Sequence, residues 1–250
     1  MKGTRYGVLV TATFGVLILG GCIARLGELP DFASIKDAAR MKQTFYDYLL
    51  PAVAQENARI LEQRRELTVI RSRLAAGERP GWFQRRKLKA LAEEYEVDWN
   101  RDELALIADR LWGRVDVIPE ELTLVQAVKE SGWGRSRFAV EGNNLFGQWC
   151  YEPGCGVVPK QRSAGATHEV EAFDSVSESI RRYMNNLNTH ERYATLRRLR
   201  ADRRRKDHAL TGAALAPGLL GYSERGGPYV DEILSMMRQN RELLGDAAAT

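Results

Sequence analysis

The sequence predicts a mainly α protein with one small β or irregular lobe and a helical extension ahead of its most patterned stretch. Three observations carry this. Apolar residues recur at helical intervals through most of the chain. Only residues 156–173 join valines to turn residues in the manner of a hairpin. The 250 residues are ample for a buried core in one or two domains, and 44% hydrophobic with 28% charged residues is ordinary for a folded protein. No internal repeat and no low-complexity stretch stands out. The net charge of +4 favours an anionic surface without choosing among wall polymer, phospholipid and nucleic acid.

Residues 1–22 read as an export signal. Lys2 and Arg5 form a charged start, residues 8–19 an apolar run, and Leu19-Gly20-Gly21-Cys22 a lipobox whose cysteine would be lipidated. The other reading is an uncleaved N-terminal membrane anchor. Either one places the rest of the chain in the cell envelope, on the periplasmic side, tethered to a membrane.

Residues 23–115 form the helical extension. Over residues 30–75, Phe45, Leu49, Val53 and Ile60 keep a helical interval, and Pro51 is expected to kink or split the run. The dense mixed charge from Gln55 to Arg73 reads as a solvated face. Residues 75–81 are a break. A second helix is expected over 82–97, with Trp82, Leu88, Leu91 and Tyr95 on its apolar side, and a third over 101–115. The apolar period is interrupted too often for a coiled-coil stalk, so the extension is expected to pack on or near the next domain. Arg85-Arg86-Lys87 and Arg203-Arg204-Arg205-Lys206 sit in no recognisable nucleic-acid fold, and no nucleic-acid partner is expected.

The domain at 116–245 opens on its clearest helix. Leu122, Val125 and Val128 recur three apart, Pro119 suits the first helical position, and Glu120 and Glu121 suit the positive end of the dipole. Ser131-Gly132-Trp133-Gly134 then ends it. Glu130 is left on the last turn, at the negative end of the dipole and beside Trp133, where its charged form is disfavoured. A carboxylic acid kept protonated is the proton donor that a glycosidic oxygen needs. The plainer reading is a solvated glutamate at a frayed helix end.

Glu130-Ser131-Gly132-Trp133-Gly134, followed by Ser136, Ala139 and Asn143-Asn144-Leu145-Phe146-Gly147, resembles the signature of the bacterial N-acetylglucosaminidases of glycoside hydrolase family 73. The similarity extends to the Bax-like branch over roughly residues 30–240, through PDFASIKDAARMKQTFYDYLLP, GQWCYEPGCGVVPK, YMNNLNTH and GLLGYSERGGPYV. The resemblance implies a lysozyme-like fold and an endo-β-N-acetylglucosaminidase that cuts the glycan strands of peptidoglycan, without cofactor or metal. It implies Glu130 as general acid and a second acidic residue, Glu169 with Glu171 as runner-up. It also implies a cleft tyrosine, Tyr222, followed by Tyr229. Trp133, Phe146 and Trp149 offer faces to sugar rings or belong to the core. Asn143 and Asn144 suit hydroxyl and N-acetyl groups or hold their own loop. Two rivals remain, a lytic transglycosylase on the same fold and a non-catalytic wall-binding lipoprotein.

Cys150 and Cys155 bracket a four-residue turn and suit a disulfide in an oxidising compartment, worth on the order of ~2 kcal/mol. Metal binding is the alternative, but the three histidines are scattered. In residues 156–173, alternation sends Glu169 and Glu171 to one face of a strand. Ser175 with Glu178 forms a capping box for a helix whose apolar side is Ile180, Tyr183, Met184 and Leu187. Residues 192–205 continue helical, 210–220 are apolar, and 230–244 close the domain as one helix.

Overall fold

The computed structural model describes residues 29–160, 162 and 165–245; Cys22 and the expected signal at 1–22 lie outside them. Among the described residues, ten α-helices and three short strands run in order: α1 Ala38–Ala75, α2 Trp82–Glu94, α3 Leu104–Arg114, α4 Glu120–Ser131, α5 Arg137–Gly142, β1 Trp149–Cys150, β2 Gly156–Val157 and β3 Glu169–Glu171. Then come α6 Val176–Thr189, α7 Ala194–Arg205, α8 Gly212–Leu215, α9 Gly227–Gln239 and α10 Arg241–Leu244. This mostly helical architecture with a small lobe is that of a lysozyme-like domain, as the sequence predicts.

α1 runs unbroken for 38 residues, about 57 Å at the helical rise. Asp37 caps it by accepting from the Arg40 N–H at 2.7 Å. Pro51 neither ends nor splits it. The proline and Asp47, whose carbonyl loses its partner, both face solvent, where water replaces the missing bond. The inner stripe, Phe45, Leu49, Val53, Ile60, Leu67 and Ile70, is buried, and α1 packs on α2, α3, α4, α6 and α10. One hydrophobic core extends from Phe32 to Leu244, so residues on both sides of position 115 share it.

Two polar locks fix α4 in this core. The Asn57 side chain pairs with the Ile118 backbone in both directions, at 2.8 and 3.2 Å, just ahead of the helix. Arg200 is 1% exposed and donates to the carbonyls of Gly113, Arg114, Asp116 and Val117 and to Asn188 Oδ1. The Gly113 and Arg114 carbonyls finish α3, whose negative end suits a cation, and those of Asp116 and Val117 follow it. Asp116 adds a carboxylate that Arg204 meets at 2.8 Å and Arg64 at 3.5 Å. Burial brings the Arg200 guanidinium down to about 10, against the pull of Asp116. Burial pushes the Asp116 carboxyl up, but its arginines outweigh that and hold it below the usual range.

The lobe is a three-stranded antiparallel sheet in the order β1-β3-β2, pairing Cys150 with Glu169 and Gly156 with Glu171. A disulfide joins Cys150 to Cys155. Gly156 is required here, since a Cβ would lie 2.0 Å from the Val170 carbonyl oxygen.

Three local expectations need correction. Pro119 stands one residue outside α4, with ψ at 134°. Trp82 is not on the apolar side of α2, which buries Leu88, Leu91 and Ala92 and leaves Trp82 59% exposed. The closing helix is interrupted at Asn240, whose amide turns back to the Met236 carbonyl at 2.8 Å. Among the described residues, no helix is long and apolar enough to cross a membrane.

Candidate active site

α4 is buried along nearly its whole length, and Glu130 is its penultimate residue. Past Ser131 the chain makes a tight reversal built from three successive left-handed residues: Gly132 at φ 57°, Trp133 at 63° and Gly134 at 71°. The Ser131 hydroxyl organises it, donating to the Ala127 carbonyl at 2.6 Å and accepting from the Gly134 N–H at 2.7 Å. Gly134 cannot carry a side chain, because its Cβ would meet the Phe32 ring at 2.8 Å. Trp133 holds a conformation that costs a non-glycine residue on the order of 1 kcal/mol. Its packing on α1 offsets this, edge-on to Phe45 and Tyr46 at 5.6 and 5.4 Å, with the Lys42 ammonium 5.3 Å from the ring. The helical extension thus builds the wall behind the Glu130 turn.

Glu130 receives one hydrogen bond, from the Tyr229 hydroxyl to Oε1 at 2.8 Å. Tyr229 in turn accepts from the Gln126 amide at 2.8 Å, and the Tyr183 hydroxyl donates to the amide oxygen of Gln126. The relay fixes the direction of every donor. Burial raises the Glu130 pKa, the Tyr229 bond and Lys129 lower it, Glu232 raises it, and the net direction is up. Glu232 itself is held by Lys129 and by Arg225 at 2.7 Å. The largest cause is therefore burial. Chemically, one oxygen is positioned by a tyrosine, and the carboxyl keeps its proton at a higher pH than a solvated glutamate does.

The Asn-Asn-Leu-Phe-Gly segment lies alongside. Asn143 is left-handed at φ 51° and donates to the Phe173 carbonyl at 2.9 Å. Asn144 is 1% exposed; its amide bonds the carbonyls of Gln148 and Glu171 and accepts from the N–H groups of Phe146 and Gln148. Both asparagines hold their loop, one of the two readings the sequence left open. Phe146 is 3% exposed and stacks on Tyr183 at 3.9 Å, which places it in the core. Tyr222 stacks on Tyr229 at 5.4 Å and donates to the Phe146 carbonyl at 2.9 Å. The hydroxyl on Glu130 therefore belongs to Tyr229, and Tyr222 ties the loop to it.

The β lobe carries the remaining candidates. Trp149 is 55% exposed, with one face stacked on His168 at 4.2 Å. Glu169 accepts from the N–H groups of Gly154 and Gly156 at 3.1 and 2.9 Å, and these bonds hold its carboxyl below the usual range. It serves the disulfide turn. Glu171 lies 3.7 Å from Arg182, and with Trp149, Gln148 and His190 it lines a small cavity of about 170 Å³. Burial pushes its carboxyl up.

Sequence reasoning missed Gln126 and Lys129; it read Tyr183 as core, where the structure places it, with its hydroxyl turned to Gln126. A glutamine four residues before the acid, on the same helix face, was the signal available for Gln126.

Known proteins share both the domain and most of the chain. A family model described as mannosyl-glycoprotein endo-beta-N-acetylglucosaminidase matches residues 105–242. The chain is 33% identical over 223 residues to Protein bax of Escherichia coli (strain K12), an alignment covering 88% of this chain and 77% of that one. No solved structure matches it significantly.

Proposed function

This chain belongs to the glucosaminidase family, a family of glycosidases, and from that premise we propose that it is an endo-β-N-acetylglucosaminidase of peptidoglycan. The observation that carries the reading is the half-buried Glu130 carboxyl, positioned by Tyr229 and raised in pKa. Glu130 gives its proton to the glycosidic oxygen as the bond to C1 breaks. The substrate's own N-acetyl oxygen attacks C1 and closes an oxazolinium ion, whose charge balances the Glu130 carboxylate left behind. Water then opens that ring and returns a proton to Glu130, so each cut adds one water. This route is preferred because both Glu169 oxygens are engaged by backbone N–H groups. Glu171 is the rival base. Trp149 offers an exposed face to a sugar ring, and Trp133 walls the acid turn.

We further propose residues 116–245 as the catalytic portion, with 23–115 as its supporting extension. We place the protein in the cell envelope, tethered through lipidated Cys22 or an uncleaved anchor; this rests on the sequence alone.

Digestion of purified peptidoglycan, with mass spectrometry of the new ends, tests the reading. Reducing N-acetylglucosamine with one water gained is expected. Reducing N-acetylmuramic acid means lysozyme-type bond choice. Anhydro ends mean a lytic transglycosylase, and binding without cleavage means a wall-binding protein.

A further inference from the structure

Trp82 and Phe83 open α2 at 59% and 81% exposure, and Phe83 is the most exposed large apolar side chain among the described residues. Their rings meet edge to face at 4.8 Å, and the Arg86 guanidinium lies 5.6 Å from the Trp82 ring. The core does not need them, since α2 packs through Leu88, Leu91 and Ala92. The charge around the pair is one-sided. Lys87 is matched by Glu66, Arg73 by Glu78 and Lys89 by Glu93. Arg79, Arg85 and Arg86 are exposed and, among the described residues, meet no carboxylate.

We propose that this corner between α1 and α2 is a contact surface for an anionic phospholipid membrane. Aromatic rings settle at the headgroup boundary, and guanidinium groups beside them bind lipid phosphates. The arginines supply the charge complement. The chain outside the described residues points the same way: 28 residues precede Leu29, and they contain the apolar run at 8–19. Leu29 packs on the core, and Phe32 packs on Phe45 near the start of α1. Trp82 lies just past the far end of α1. A tether before Leu29 and a contact at Trp82 would lay α1 along the membrane plane. Two rings and three arginines make a weak, reversible contact, so the surface orients a protein already held and does not recruit it.

The test uses the full chain with vesicles of phosphatidylcholine alone or with one part in three phosphatidylglycerol, each carrying brominated phospholipid as quencher. The difference in emission between the natural chain and Trp82→Phe isolates Trp82 from Trp99, Trp112, Trp133 and Trp149. We expect Trp82 to be quenched by about twofold or more in the anionic vesicles, and far less in the neutral ones. The combined Arg79→Ala, Arg85→Ala and Arg86→Ala variant should lose that quenching with its circular dichroism unchanged. No quenching in either vesicle overturns the proposal. So does equal quenching with and without phosphatidylglycerol, the result of a tether alone. A Trp82 shift caused by soluble peptidoglycan fragments and by neither vesicle makes the corner a glycan contact, which also overturns it.

Discussion

The Tyr229 hydroxyl donates a 2.8 Å hydrogen bond to Glu130 Oε1, and Gln126 holds that same hydroxyl at 2.8 Å from the other side. The bond alone favours an ionised carboxyl. Burial opposes it and is the larger effect, so the pKa lies above the ordinary value. Position and protonation are thus set by different neighbours, and substitutions separate them.

Glu130→Gln should cut release of labelled wall fragments by roughly 10²–10⁴-fold, the weight of a positioned general acid. The variant should be at least as stable at pH 7. A carboxyl whose folded pKa is raised keeps its proton where the unfolded chain has lost it, so its contribution falls as pH rises above about 4.3. Melting curves should show the variant's advantage at neutral pH closing in acid. A lower Tm at pH 7 would mean that Glu130 serves the fold.

Tyr229→Phe removes the donor that lowers the Glu130 pKa. The alkaline limb of the pH–rate profile should move to higher pH, with a rate loss of about tenfold or more. Tyr222→Phe should leave the limb in place, since its hydroxyl binds the Phe146 carbonyl. A limb that moves with Tyr222 and not Tyr229 would reverse the two assignments.

Glu169→Gln should lower Tm at neutral pH while the rate per folded molecule stays near normal. The Gly154 and Gly156 amides hold this carboxyl low, so its stabilisation is present above the ordinary carboxylate range and is lost as pH falls through the depressed pKa. Glu171→Gln should also leave the rate near normal if the N-acetyl group is the nucleophile. A loss of about a hundredfold at Glu171 would identify a general base and end the substrate-assisted reading.

Arg200→Met strands the Gly113 and Arg114 carbonyls and Asn188 Oδ1, and takes from Asp116 one of its three arginines. Urea unfolding should report a loss of about 3–5 kcal/mol, as for other broken buried pairs. Arg204→Ala, on the solvent side of the same carboxylate, should cost about 1 kcal/mol or less. Equal losses would mean that burial does not govern this cluster.

The parts legible in the sequence were those written in local spacing. Glu130 on its last turn, the glycine break after it and the Ser175 cap all depend on residues within one turn of each other, and each forms where expected. The destinations of side chains were not legible. Tyr229 reaches Glu130 across 99 residues, and no period along the chain says which of two nearby tyrosines will do so. Helical spacing told which side of α1 is buried, but not that Phe45 and Tyr46 would receive Trp133. Trp82 was misread because an aromatic at the start of a helical pattern looks the same whether it faces the core or water.

The 38-residue α1 precedes every other described helix, yet it packs on α6 and α10 as well as on its neighbours α2, α3 and α4, and α10 ends at Leu244. Contacts this far apart in sequence form late, because the intervening chain must first be brought together. Until the later helices dock, the parts of the stripe that α6 and α10 cover stay wet and adhesive. The same helix that walls the Glu130 turn in the finished molecule is therefore fully covered only when the far end of the chain returns to it.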